Sequence, residues 1–234
     1  MARLPRLCIP GQLHAVSLRG TGPICVDDED RSRCLRDLAE SAAVHGVAVH
    51  GFALSGAGLY LLMTPQDVSG LSLAMQGLGR RYVGSFNRRH GRHGALWESR
   101  FTATLVEAHT YFFDMLTWIE TSAQRETPSL KATDWQWSSA RHHVGLERVP
   151  WLTEHPLCWT LGNTPFERDL AHRDRLNRGL NADQVDQLTQ AMRLGWALGT
   201  DDFIARQQAR TSRPLRPRPR GRPRGSKSSM DSRK

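Results

Sequence analysis

Several things are scarce in this 234-residue chain. It has no run of about eighteen apolar residues, so a membrane-spanning helix is not expected. Its opening, Met1-Ala-Arg-Leu-Pro-Arg-Leu-Cys-Ile-Pro10, meets proline and glycine too early for the apolar stretch of a signal peptide. Cys8, Cys25, Cys34 and Cys158 make no CxxC pair and no disulfide-like framework, so the expected setting is a reducing cytoplasm. Acid is nearly missing from the C-terminal end. Arg206 to Lys234 holds eleven Lys and Arg against Asp231 alone, or +10, while the whole chain carries +9, which leaves the first 205 residues at −1. A near-neutral body with a strongly basic end fits a polyanion, with nucleic acid as the expected partner. A solvated tail that only aids solubility is the plainer alternative.

What is present suits one globular domain with appendages, since 39% of residues are hydrophobic. Gln12 to Arg19 reads as a strand between two glycines, and acidic residues 27–30 open a helix whose Leu35, Leu38, Ala39, Ala42 and Ala43 recur at helical spacing. Val47–Leu54 and Leu59–Thr64 read as strands joined by a Ser-Gly-Ala-Gly turn. Leu71–Asn87 reads as a helix, Phe101–Val106 as a fourth strand and His109–Ala123 as a third helix. The order β-α-β-β-α-β predicts an α+β fold, the ferredoxin-like split βαβ sandwich with an antiparallel sheet covered by helices. Residues 1–125 form that domain on this reading. Residues 126–210 form a helical C-terminal extension with Asn181 as an N-cap, Asp201-Asp202 opening a last helix, and Trp151, Trp159 and Trp196 in a satellite core. Residues 211–234, rich in Arg, Pro, Gly and Ser, read as a disordered basic tail.

Two stretches suit DNA. Arg80 to Arg100 carries six arginines against Glu98, so Arg80, Arg81, Arg88, Arg89 and Arg92 are candidate phosphate contacts and Trp97 a candidate stacking platform. Helix-dipole pairing of those arginines and a core role for Trp97 are the alternatives. Arg218-Pro-Arg-Gly-Arg-Pro-Arg224 resembles the AT-hook motif. Gly221 lets the backbone lie flat in a narrow A·T-rich minor groove, where Arg220 and Arg222 follow its negative floor and Arg218 and Arg224 flank them. Generic contact with the phosphate backbone is the broader alternative.

Longer stretches carry a further resemblance. Leu4-Pro-Arg, Val16-Ser-Leu-Arg-Gly20, Asp27 to Asp30, Arg80-Arg-Tyr-Val, Phe86-Asn-Arg-Arg-His-Gly-Arg, Leu96-Trp-Glu-Ser-Arg-Phe and Trp137-Ser-Ser-Ala-Arg are similar to the REP-associated tyrosine transposases, a branch of the HUH single-strand transposase superfamily. Trp151-Leu-Thr-Glu-His-Pro-Leu and Gly195-Trp-Ala-Leu-Gly-Thr extend the likeness over nearly the whole chain. The resemblance implies a ferredoxin-like catalytic domain that binds single-stranded DNA beside hairpins in bacterial genomes. It also implies a His-hydrophobic-His strand holding a divalent metal such as Mg, a nucleophilic tyrosine on a helix, and a polar ligand one turn on.

This sequence departs from that pattern at each part. The two histidine positions are Gly58 and Tyr60, the nucleophile position is Trp118 and the polar ligand position is Ser122. No His-x-His occurs in the chain, and the adjacent His142 and His143 diverge on either a helix or a strand. No catalytic residue, metal site or cofactor is therefore expected. The leading expectation is a nucleoid-associated bacterial DNA-binding protein of transposase descent that recognises hairpin or single-stranded DNA without cleaving it. An active metal-dependent transposase using other residues, and a decayed insertion-gene product, are the competing readings. Oligomeric state is not legible.

Overall fold

The computed structural model describes residues 6–56 and 58–217. The first six elements are β1 (Leu13–Arg19), α1 (Asp28–Val44), β2 (Val47–Ser55), β3 (Gly58–Pro65), α2 (Gly70–Arg89) and β4 (Thr102–Val106). The strands lie in the order β2-β3-β1-β4, and every neighbouring pair is antiparallel. This is the split βαβ arrangement expected from the element order.

Local chemistry explains the boundaries. Asp27 caps α1, its carboxylate accepting from the Asp30 N–H, and three acids fill the first turn against the helix dipole. Gly58 begins β3 with φ +154°, and a Cβ there would lie 2.3 Å from the Leu18 carbonyl oxygen. Only glycine fits that point of the sheet. Alternation then divides the strands between two faces. Val16, Leu18, Val49, Leu61 and Met63 pack under Leu38, Leu71, Leu78, Tyr82 and Phe86 of α1 and α2. Leu13, Ala15, Ala53 and Leu62 face the other way.

That second face changes the reading of the C-terminal half. It is covered by α3 (Ala108–Glu120) and α7 (Ala182–Leu194), whose Phe112, Leu116, Leu188 and Met192 join one core with the sheet. The intervening elements are α4 (Ser122–Glu126), a 3-10 helix (Ala132–Asp134), α5 (Ala140–His143), a second 3-10 helix (Pro156–Leu161) and α6 (Pro165–Arg178), with α8 (Asp201–Gln208) last. Asn181 caps α7 in a capping box with Gln184, and Thr200 caps α8.

The tryptophans do not form a separate core. Trp151 packs on Phe52 at 5.1 Å, and Trp159 is 60% exposed beneath Arg168. The C-terminal half also covers both sheet edges. On β2, Leu54 N–H donates to the Trp137 carbonyl and Ser139 N–H to that of Phe52; on β4, Leu198 N–H donates to the Leu105 carbonyl. The chain stays packed beyond Thr211, where the tail was expected to begin. Leu215 is fully buried with Leu7, Ile9, Phe203 and Ile204.

Candidate functional site

Helix α3 presents two different environments because Trp118 and Glu120, two residues apart, point to opposite sides of it. On one side Trp118 meets Tyr60 of β3 edge-to-face, with ring centroids 5.3 Å apart. The Trp118 indole N–H donates to Thr189 of α7, and the Arg125 guanidinium sits 4.2 Å over the indole ring. Burial pushes the Tyr60 phenol above its usual range. Ser122 follows one turn on, and its hydroxyl is buried with no hydrogen-bond partner among the described residues.

The fold therefore brings together the positions that the resemblance assigns to metal and nucleophile. The residues there do not fit a divalent ion. Gly58 has no side chain and no room for one, Tyr60 is a protonated phenol packed against indole, and Ser122 offers a single neutral hydroxyl. Tyr82, the core tyrosine, donates to the Ile24 carbonyl, and Tyr111 is half-buried beside Gln187.

The basic residues separate into two groups. Arg89 pairs with Asp27, Glu29 and Asp30 at 2.7–2.8 Å and ties the end of α2 to the start of α1. That guanidinium holds the Asp27 carboxyl down at about 2. Arg81 pairs with Glu40, whereas Arg80 and Arg88 are exposed with no acidic partner among the described residues. Arg92 lies over the Phe86 ring at 5.6 Å. Arg218, Arg220, Arg222 and Arg224 lie outside the described residues.

Sequence reasoning missed a third basic group. Arg6, Arg100 and Arg213 line a cavity of about 250 Å³. Burial, and then the charge of Arg100, lowers the Arg213 guanidinium from its ordinary value. This cavity shares Arg6, Ser99, Arg100 and Phe101 with a more apolar one of about 520 Å³, lined also by Leu18, Met75, Val83 and Trp97. The Trp97 indole N–H is buried without a hydrogen-bond partner among the described residues. Arg6 and Arg213 lie far from the 80–100 stretch in sequence, so no local signal joined them.

On the other side of α3, Glu120 is fully buried and makes three contacts of 2.6 Å. Ser139 Oγ and His143 Nδ1 reach Oε1, and His172 Nε2 reaches Oε2. Burial alone would raise the Glu120 carboxyl, but the His172 and His143 imidazoles outweigh it and hold the group well below the usual range. One ligand atom from each of Glu120, His143 and His172 lies within 4.8 Å of the others. His143 and His172 line a cavity of about 270 Å³ together with His142, Glu154, Cys158 and Asp169. The sequence held little signal for this cluster beyond an acid following the apolar Trp118-Ile119 pair at the end of α3; its histidine partners stand 23 and 52 residues away.

No known family profile matches the sequence, and no curated protein matches it. Among the described residues no helix is long and apolar enough to cross a membrane. Solved structures similar to this chain include two transposases. One, of a Deinococcus radiodurans R1 protein named a transposase, is 19% identical with a TM-score of 0.35, covering 48% of this chain and 91% of that one. The other is of a REP-associated tyrosine transposase bound to a REP hairpin, with a TM-score of 0.51 and 12% identity over 67% of this chain and 93% of that one. At that identity the shared property is the fold, an α+β sandwich common to this chain and the hairpin-bound transposase.

Proposed function

We propose that this protein binds hairpin or single-stranded DNA as a non-cleaving descendant of a transposase. The observation that carries the reading is the pair of joined cavities around Arg100. Three arginines on one side suit a phosphate, and an apolar recess holding Trp97 with its unused N–H suits a base. The fold likeness to a transposase bound to a REP hairpin supports the same partner class. Exposed Arg80 and Arg88 add charge to the body, and the hook-like Arg218, Arg220, Arg222 and Arg224 supply a second contact to A·T-rich groove or phosphate. Localisation to a bacterial nucleoid follows from that partner.

The reading excludes strand cleavage on residue chemistry. Indole at Trp118 cannot form a phosphotyrosine-type link, and Gly58, Tyr60 and Ser122 supply no adequate ligand set for the ion that would polarise the phosphate.

Fluorescence anisotropy against a hairpin with a single-stranded flank, at two salt concentrations, tests this. The full chain is compared with one ending at Pro217, because Leu215 belongs to the core. Retained hairpin preference without residues 218–234, weakening as salt rises, is the expected result. No salt-sensitive affinity sinks the proposal, and affinity residing wholly in the last residues favours a decayed gene. Cleavage of a labelled hairpin with magnesium or manganese, through an adduct lost on changing Tyr60 or Tyr111, would replace it with an active enzyme.

A further inference from the structure

We propose that Glu120, His143 and His172 form a binding site for one divalent cation of the zinc class, with a coordination position open to the adjoining cavity. The inference is independent of the DNA reading and of positions 58, 60 and 122.

The donor set is the first argument. Two imidazole nitrogens and one carboxylate oxygen form the combination used by zinc sites that keep an exchangeable ligand. Such a set disfavours magnesium and calcium, which take mainly oxygen. A tetrahedral ion about 2.0–2.2 Å from each donor sets them roughly 3.3–3.5 Å apart. The three ligand atoms already lie within 4.8 Å of one another, so modest side-chain rotation closes them on an ion.

Burial is the second argument. The Glu120 carboxylate has no exposed surface, and an anion buried in that way calls for a compensating positive charge. A cation accepting lone pairs from Oε, His143 Nδ1 and His172 Nε2 supplies that charge through the atoms that otherwise share protons.

Support and access complete the case. Ser139 Oγ donates to Glu120 and orients the carboxylate, as groups outside the coordination shell do in metal centres. The ligands come from three elements, α3, α5 and α6. The first turn of α6 is fixed by the Thr164–Glu167 capping box. The cavity of about 270 Å³ reaches both histidines and has polar walls, including Glu154 and Asp169, so water is the expected fourth ligand. Cys158 lines the same cavity but lies outside the ligand set.

The full-length protein, freed of metal by dialysis against a chelator, is titrated with Zn²⁺ in competition with a chromophoric chelator. One tight equivalent per chain is expected, with affinity falling at least about tenfold in His143→Asn and in His172→Asn. Cys158→Ser and His155→Asn leave it unchanged. Imidazole ¹⁵N spectra of the wild type with and without Zn²⁺ need no variant to fold, and they should show one ring coordinated through Nδ1 and one through Nε2. Absence of a tight equivalent overturns the proposal and leaves a hydrogen-bonded carboxylate–imidazole network. Binding that survives both histidine variants, or loss of it in His155→Asn, places the ion elsewhere and also overturns it. So does a spectrum with no ring coordinated through Nδ1.

Discussion

The two sides of α3 make an instructive contrast. Around Trp118 the fold gathers the positions where the resembling family places its chemistry, and fills them with ring packing, a glycine and an unpartnered hydroxyl. Around Glu120, where no such expectation existed, it gathers a buried acid, two imidazoles and a cavity. Geometry and residue chemistry are thus separable properties of a fold. One scaffold can bring residues together at a point where they offer no metal-binding set, and can assemble carboxylate and imidazole donors at a second point from segments far apart in sequence.

The largest expected effect tests the second side. Glu120→Ala leaves two imidazoles and Ser139 without their shared acceptor, and should destabilise the fold by about 3–5 kcal/mol in urea unfolding. A loss below about 1 kcal/mol would show that the cluster is not an integrated unit. On the first side, Gly58→His introduces the residue type of the resembling family but forces a Cβ against the Leu18 carbonyl. It should cost about 2–3 kcal/mol by the same measurement and yield no new metal affinity.

A third change probes a buried histidine outside both sides of α3. His14 is fully buried, its Nδ1–H donating to the Gln12 carbonyl and its Nε2 accepting from the Ile9 N–H, which fixes the neutral tautomer. Burial brings it down to about 4 from an ordinary 6.5. Between those values the unfolded chain takes a proton that the folded chain refuses. Stability is therefore retained above about pH 6.5 and lost as pH falls toward 4. Unfolding at pH 7 and pH 5 should differ by about 2 kcal/mol from this group, and His14→Gln should flatten the slope.

The smallest effect separates the arginines. Arg100→Ala should weaken hairpin binding and reduce the salt slope by about 1, whereas Arg89→Ala, already occupied by Asp27, Glu29 and Asp30, should leave that slope unchanged. Equal effects from both would erase the distinction between the two groups.

Much of this was legible in the chain. The glycine-bounded apolar runs of β1 and β3, the acidic start of α1 and the Asn181 cap are local signals, and the elements lie within a few residues of where those signals place them. That Tyr60 and Trp118 share one site was implied only by the family resemblance, and the two rings do meet. Other features depend on contacts that no local pattern encodes. His143 was set aside because its neighbour His142 diverges from it, yet its partners come from α3 and α6. Leu215 sits in a composition that reads as tail, but one leucine among prolines and arginines is enough to fill a pocket left by Leu7 and Phe203.

The way the sheet borders are closed bears on how the protein is made. Each outer strand is sealed by a segment synthesised well after it, Trp137–Ser139 on β2 and Leu198 on β4. While a ribosome has released only the first 125 residues, the nascent sheet has two unsatisfied rims and an apolar face covered by α3 without α7, open to pairing with another chain. Maturation must wait for segments roughly a hundred residues downstream, so slow refolding and aggregation of N-terminal fragments follow from topology alone.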